Sequence, residues 1–82
     1  MKRKEIIEKV NKFLTNEIEI DEDLISPDAI LTKDLGIDSL DVVDIIVIVE
    51  QVFSVKIKGE ELREVKTLQQ FYDFIENKIK EK

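Results

Sequence analysis

DLGIDSLDVVDIIVIVEQVF, Asp34–Phe53, decides the reading of this chain. Ser39 stands between Asp38 and Leu40-Asp41, at the head of a run dominated by β-branched residues. Such residues favour strands. No other segment offers a partner strand, however, and a lone strand has nothing to pair with. The start signal is helical. Asp38 can act as N-cap, and Asp41 falls in the first turn, where negative charge suits the helix dipole. The stretch therefore predicts a helix over about residues 39–53. Gly36 permits the sharp turn that precedes it.

Placed on a wheel at about 100° per residue, Val42, Ile45, Ile46, Val49, Val52 and Phe53 share an arc of roughly 120°, the expected core face. Asp41, Asp44, Glu50 and Gln51 lie opposite, with Leu40, Val43 and Val47 interleaved among them. An apolar stripe framed by acids is the pattern of a partner-docking face. Burial of Val43 and Val47 beneath a neighbouring loop is the other reading the wheel allows.

Working outward, Ile6, Ile7, Val10, Phe13 and Leu14 recur at helical spacing and predict an amphipathic helix over about residues 3–16. Residues 17–38 show no long period. Ser26-Pro27 reads as a helix start or a turn. Ile20, Leu24, Ile25, Ile30, Leu31, Leu35 and Ile37 are expected to pin this long loop over the helices, because an unpinned loop of about 20 residues is unusual in a small domain. SVKIKG after Phe53 reads as a connection, and GEELREV as one or two turns of helix. Thr67 and Gln70 have the spacing of a capping box that opens a last helix. Its apolar face is Leu68, Phe71, Tyr72, Phe74, Ile75 and Ile79. The expected fold is all-α: a small antiparallel bundle of three principal helices and one short one, with a long loop between the first two. The expected organisation is a single domain over residues 1–82.

Composition narrows the function. The net charge of −6 is unevenly spread: residues 1–16 carry +3, residues 17–44 carry −9 and residues 45–82 are balanced. The acidity surrounds Ser39, repelling nucleic acid and attracting basic protein surfaces. MKRKEIIEKVNKFL lacks the continuous apolar core of a signal peptide. No segment approaches the roughly 18 uncharged apolar residues of a membrane span. With no Cys there is no thiolate nucleophile, disulfide or thiolate metal site, which fits a cytoplasmic protein. No intrinsic metal site is expected. DLGIDSLD has its glycine too early for a calcium loop and lacks the closing glutamate.

A hydrolase serine needs an adjacent base, and the chain has no His. GIDSL is not the G-x-S-x-G elbow. The pair Asp38 and Asp41 lacks pocket-forming loops that would set it up for acid–base work. Ser39 is thus not activated by its own chain. The economical reading is that another enzyme activates it, and that Ser39 is a modification site on a protein that is not itself an enzyme.

D-L-G-I-D-S-L-D, Asp34–Asp41, resembles the phosphopantetheine attachment motif of acyl carrier proteins, and the order of helices fits that family over nearly the whole chain. The resemblance implies that Ser39 accepts 4′-phosphopantetheine from coenzyme A through a phosphodiester, transferred by a separate phosphopantetheinyl transferase that usually uses magnesium. Asp38 is the family aspartate that helps hold the metal or the transferase. The arm's thiol then carries acyl groups as thioesters to acyl-transfer, condensing and reducing enzymes of fatty acid or related acyl and polyketide biosynthesis. Leu40, Asp41, Val43, Asp44, Val47 and Glu50 match the positions that dock on basic patches of those enzymes. The resemblance also implies a slot for the acyl chain, here formed by Val42, Ile45, Ile46, Val49 and Phe53 facing Leu62, Val65, Phe71 and Ile75. A monomer is expected.

The chain departs from the family pattern at several places. Lys58 and Gly59 stand where a Pro and an acidic residue are usual, Lys56 and Arg63 bring positive charge to the short helix, and Gln51 replaces a common glutamate. These changes leave the carrier role intact and point to a specialised partner set. A stand-alone aminoacyl or peptidyl carrier and an unmodified helical interaction module are the alternatives.

Overall fold

The computed structural model describes residues 2–81. Four helices follow one another: α1 (Arg3–Asn16), α2 (Ser39–Phe53), the short α3 (Gly59–Leu62) and α4 (Leu68–Lys80). The β-branched run of α2 is helical, as its cap and lack of a partner strand require. One contiguous apolar core joins all four helices to the long loop, and among the described residues the only hydroxyl-bearing side chain buried in it is that of Tyr72.

The frame of this core is the pairing of α1 with α4. Ile6, Val10, Phe13 and Leu14 from α1 are buried with Leu68, Phe71, Tyr72 and Ile75 from α4. Each such side chain contributes about 1.5–3 kcal/mol through the surface it removes from water. The Phe13 and Phe71 rings meet edge to face, with centroids 6.5 Å apart. At the margin, Arg3 pairs with Asp73 and lies 5.9 Å from the centre of the Tyr72 ring. The Tyr72 hydroxyl donates to Asn11 Oδ1, so burial of the ring leaves no phenolic donor unpaired.

The loop between α1 and α2 is strapped down by backbone as well as side chains. Leu31 N–H donates to Lys66 O, while Leu68 N–H donates to Ala29 O and Gln69 N–H to Pro27 O. The first N–H groups of α4 have no partner within the helix. The loop supplies acceptors for two of them, and Thr67 Oγ1 accepts from Gln70 N–H in the expected capping box. Ile20, Leu31, Leu35 and Ile37 are buried as expected of pins, and Ile25 is half-buried. Leu24 and Ile30 are not pins; they stay 49% and 37% exposed. Leu24 ends a 3-10 turn, Glu22–Leu24, whose first residues are all acidic and solvated. Ile30 sits in the isolated bridge with Thr67, facing away from the core. Buried Ala29 takes up the inner position instead. Ser26-Pro27 forms a turn, closed by Ala29 N–H on Ser26 O, and no helix starts there.

The SVKIKG connection is more than a link. Val55 and Ile57 are buried while Lys56 and Lys58 face water, a period of two read in an extended segment. Ser54, left-handed at φ 56°, turns the chain out of α2 into it.

Tyr72 is the only tyrosine and there is no tryptophan, so its ionisation can be read alone. Burial pushes the phenol above its usual value near 10, against the opposing effects of the Asn11 hydrogen bond and Arg3. A folded-state pKa above the unfolded one gives stability that is complete below about pH 10 and lost as pH rises through the folded value. Phenolate absorbance should therefore titrate above the unfolded-chain value, with thermal stability falling over the same alkaline window. In Tyr72→Phe that absorbance disappears, and stability drops by about 1 kcal/mol at neutral pH.

Candidate functional site

The site is built on the first turn of α2. Asp38 is the N-cap, in extended conformation, and its Oδ1 accepts from both Leu40 N–H and Asp41 N–H at 3.0 Å. Asp41 Oδ2 reaches back to accept from Asp38 N–H at 3.2 Å, completing a reciprocal box. Ser39 is the first helical residue and is exposed, with no side-chain hydrogen bond recorded for its hydroxyl among the described residues. Before it, Asp34 Oδ2 accepts from Ile30 N–H at 2.8 Å and Ile37 N–H donates to Leu31 O. Gly36 makes the turn at φ 69°, a conformation that costs other L-residues roughly 1–2 kcal/mol. Asp34, Gly36 and Asp38 thus hold the backbone that presents Ser39.

The six residues expected to form a docking face divide by what they touch. Leu40, Val43 and Val47 are 76%, 59% and 48% exposed and lie on one side of α2. The loop does not cover them, so the reading of Val43 and Val47 as buried beneath it does not hold. Asp44 is exposed beside them and forms no ion pair among the described residues. Asp41 is held in the capping box. Glu50 is half-buried, its Oε2 accepting from Ile57 N–H at 3.0 Å, where it ties α2 to the connection ahead of α3. Val52, placed on the core arc by the wheel, is 38% exposed instead. It lines a shallow groove between α1 and α2.

A cavity of ≈ 560 Å³ opens beside Ser39, between α2, α3, the loop and the core. Of the residues expected to form a slot, Val42, Ile45, Ile46, Leu62, Val65 and Phe71 line it. Val49, Phe53 and Ile75 do not; they are buried deeper in the core. Because α3 packs toward the Ser39 end of α2, the cavity spans only the first half of that helix. Leu14, Leu31, Thr32, Ile37 and Arg63 line it as well, together with Asp38 and Ser39. These extra walls come from α1, the loop and the end of α3. Sequence periodicity within α2 carries no signal of them. The α3 wall is held to α4 by an ion pair between Glu61 and Lys78, and accepting Lys78's hydrogen bond, Glu61 raises that ammonium's pKa.

Residues 5–75 match the family described as phosphopantetheine attachment site. The chain belongs to the acyl carrier protein family. It is 39% identical over 79 residues to the acyl carrier protein of Thermosynechococcus vestitus, covering 96% of this chain and 98% of that one. It is 34% identical to that of Guillardia theta over the same shares. A crystal structure of the acyl carrier protein of Thermotoga maritima superposes with a TM-score of 0.82 at 27% identity, covering 99% of this chain and 94% of that one. Family membership makes this carrier protein a bearer of covalent 4′-phosphopantetheine, modified by a phosphopantetheinyl transferase and served by biosynthetic enzymes, and not a catalyst. No helix among the described residues is long and apolar enough to cross a membrane.

The cap and the charge of Asp38 are separable. Asn keeps a carbonyl acceptor for the two N–H groups, so Asp38→Asn should melt within a few degrees of the wild type. Asp38→Ala should lose about 1 kcal/mol, a fall of about 4–8 °C in a domain of this size. Equal melting of the two variants would remove the cap from the account of how Ser39 is presented.

Proposed function

We propose that Ser39 carries the 4′-phosphopantetheine arm and that the protein delivers acyl groups, as thioesters on it, to enzymes of fatty acid or related acyl and polyketide biosynthesis. The observation that carries this reading is an exposed hydroxyl held at a helix start and opening onto an apolar cavity. The residues present fit the group. A phosphodiester on Ser39 would lie at the positive end of the α2 dipole. Ser39, which would hold the arm, is exposed and lines the cavity mouth. Once attached, the arm supplies a thiol, which this cysteine-free chain otherwise lacks.

The chain's own part in loading is to present an oxygen. Ser39 Oγ bonds to the pantetheine-side phosphorus of coenzyme A as the P–O bond of the diphosphate breaks and adenosine 3′,5′-bisphosphate departs. No side chain here is set up as a base for the serine proton: there is no His, and both neighbouring carboxylates already accept backbone N–H groups. The transferase must therefore take the proton, with Asp38 in contact with the transferase or its magnesium through the carboxylate's remaining lone pairs.

Docking would use the stripe Leu40, Val43 and Val47, with Asp44 as its free charge and Asp41 and Glu50 adding field from fixed positions. The local −9 of residues 17–44 steers this face to basic patches on transferase and partner enzymes. The protein would work as a cytoplasmic monomer, its docking face left open. The cavity also supports an acyl cargo over an aminoacyl one, because its buried walls, Leu14, Ile37, Ile45 and Phe71, are apolar. Each methylene taken from water there contributes about 0.8 kcal/mol, less the cost of ordering the arm.

Incubation with coenzyme A and a broad-specificity transferase should add one phosphopantetheine mass to the wild type and none to Ser39→Ala. Modification surviving in Ser39→Ala would overturn the assignment. Asp44→Lys should slow loading by about two- to five-fold at low salt, with helical circular dichroism unchanged. Screening should shrink that deficit as salt rises; a salt-independent loss would take Asp44 off the docking face.

A further inference from the structure

The buried walls of the Ser39 cavity are apolar, but one residue at its exposed rim is a cation. Arg63 follows the last turn of α3 and lines the cavity opposite the start of α2. Its backbone is fixed, the N–H donating to Gly59 O. Its guanidinium, among the described residues, pairs with no carboxylate and makes no recorded hydrogen bond, whereas Arg3 and Lys78 are both paired. Arg63 is the only cation among the lining residues.

A plain alkyl chain would gain nothing from this charge. An anionic cargo would gain from it, because the side-chain charges around Ser39 oppose such a cargo and only the head of α2 favours it. Residues 17–44 carry −9, and Asp38 itself stands at the cavity mouth. A carboxylate brought there on an arm meets these acids, with Glu60, Glu61 and Glu64 of the α3 region beyond the lining, and Arg63 is the one lining side chain that offsets them. A guanidinium matches a carboxylate in geometry as well as in sign, offering two parallel N–H donors.

We propose that the cavity accepts acyl chains bearing a carboxylate, with the apolar body of the chain against Leu62 and Phe71 and the carboxylate held at the rim by Arg63. This rests on attachment at Ser39. Arg63 is then a specificity-determining residue that reads the cargo and takes no part in attaching it.

The test loads wild type, Arg63→Met and Arg63→Lys from coenzyme A, octanoyl-coenzyme A and suberyl-coenzyme A (the ω-carboxy counterpart of octanoyl), with intact mass confirming each product. Melting temperatures are then compared within each variant. Arg63→Met keeps an unbranched apolar side chain, so the difference between the two acyl forms isolates the charge. That substitution should lower the suberyl form selectively, by about 4 °C relative to the octanoyl form. Arg63→Lys should recover part of this, since it keeps the charge without the fork. The selective loss should fade at high salt. Equal shifts of both acyl forms overturn the proposal. A loss equal in the arm-only form would also overturn it, assigning Arg63 to the phosphodiester on Ser39. Failure of the wild type to gain mass overturns attachment at Ser39, and this inference with it, and is told apart from the other failures by mass alone.

Discussion

The N–H groups of Leu40 and Asp41 have no acceptor inside α2, and the carboxylate of Asp38 supplies one for both. Much follows from that contact. It starts the helix at Ser39, so the serine emerges at the helix head instead of within its flank. It also fixes the phase of everything after it. Ile45, Val49 and Phe53 then fall toward the core, and Leu40, Val43 and Val47 toward water. A start one residue later would rotate each of these faces by about 100°. The same carboxylate that makes the neighbourhood of Ser39 acidic is thus spoken for structurally, and Asp41 returns the favour through Asp38 N–H.

The loop makes this start rigid. Its backbone is hydrogen-bonded to the head of α4 through Pro27, Ala29 and Leu31, and it folds on itself through Asp34 and the Gly36 turn. The orphan donors of one helix are satisfied by the segment that delivers another. A long loop in a small chain is tolerable here because Ala29, Leu31, Leu35 and Ile37 are buried along it. Two of those residues, Leu31 and Ile37, also form walls of the cavity, so the strap that positions Ser39 also shapes the space beside it.

Charge is arranged on a different principle from packing. Described ion pairs join α4 to α1 through Arg3, Asp73 and Glu76, and to α3 through Lys78 and Glu61. The acids around Ser39 are left out of them. Unpaired carboxylates at an exposed face contribute field, not stability, and a field is what brings a carrier to basic partners at useful rates. Against that background the Arg63 guanidinium on the cavity wall stands apart, since it pairs with no carboxylate among the described residues and does not add to the acidic field.

The sequence by itself determined the helices and their starts, because caps and periodicity are local. Asp38 with Asp41, and Thr67 with Gln70, are recognisable three residues apart. The motif Asp34–Asp41 was specific enough to identify the family. It also carried the exposure of Leu40, Val43 and Val47 as one of two readings. What it could not carry were contacts between segments distant in the chain. Leu24 and Ile30 are apolar like the true pins, yet both lie outward: Leu24 ends an exposed 3-10 turn, and the backbone bridge of Ile30 to Thr67 sets which of its sides faces in. Glu50 looks like any acid on a polar face until the chain turns at Ser54 and brings Ile57 N–H to it. Val49, Phe53 and Ile75 share a wheel with the cavity residues, but the position of α3 along α2 leaves them in the solid core. The extent of the cavity belongs to the tertiary structure: six of its lining residues follow from the family resemblance, but its walls come from α1, the loop, α2, α3 and α4, and no single segment's periodicity can encode the space left where all of them meet.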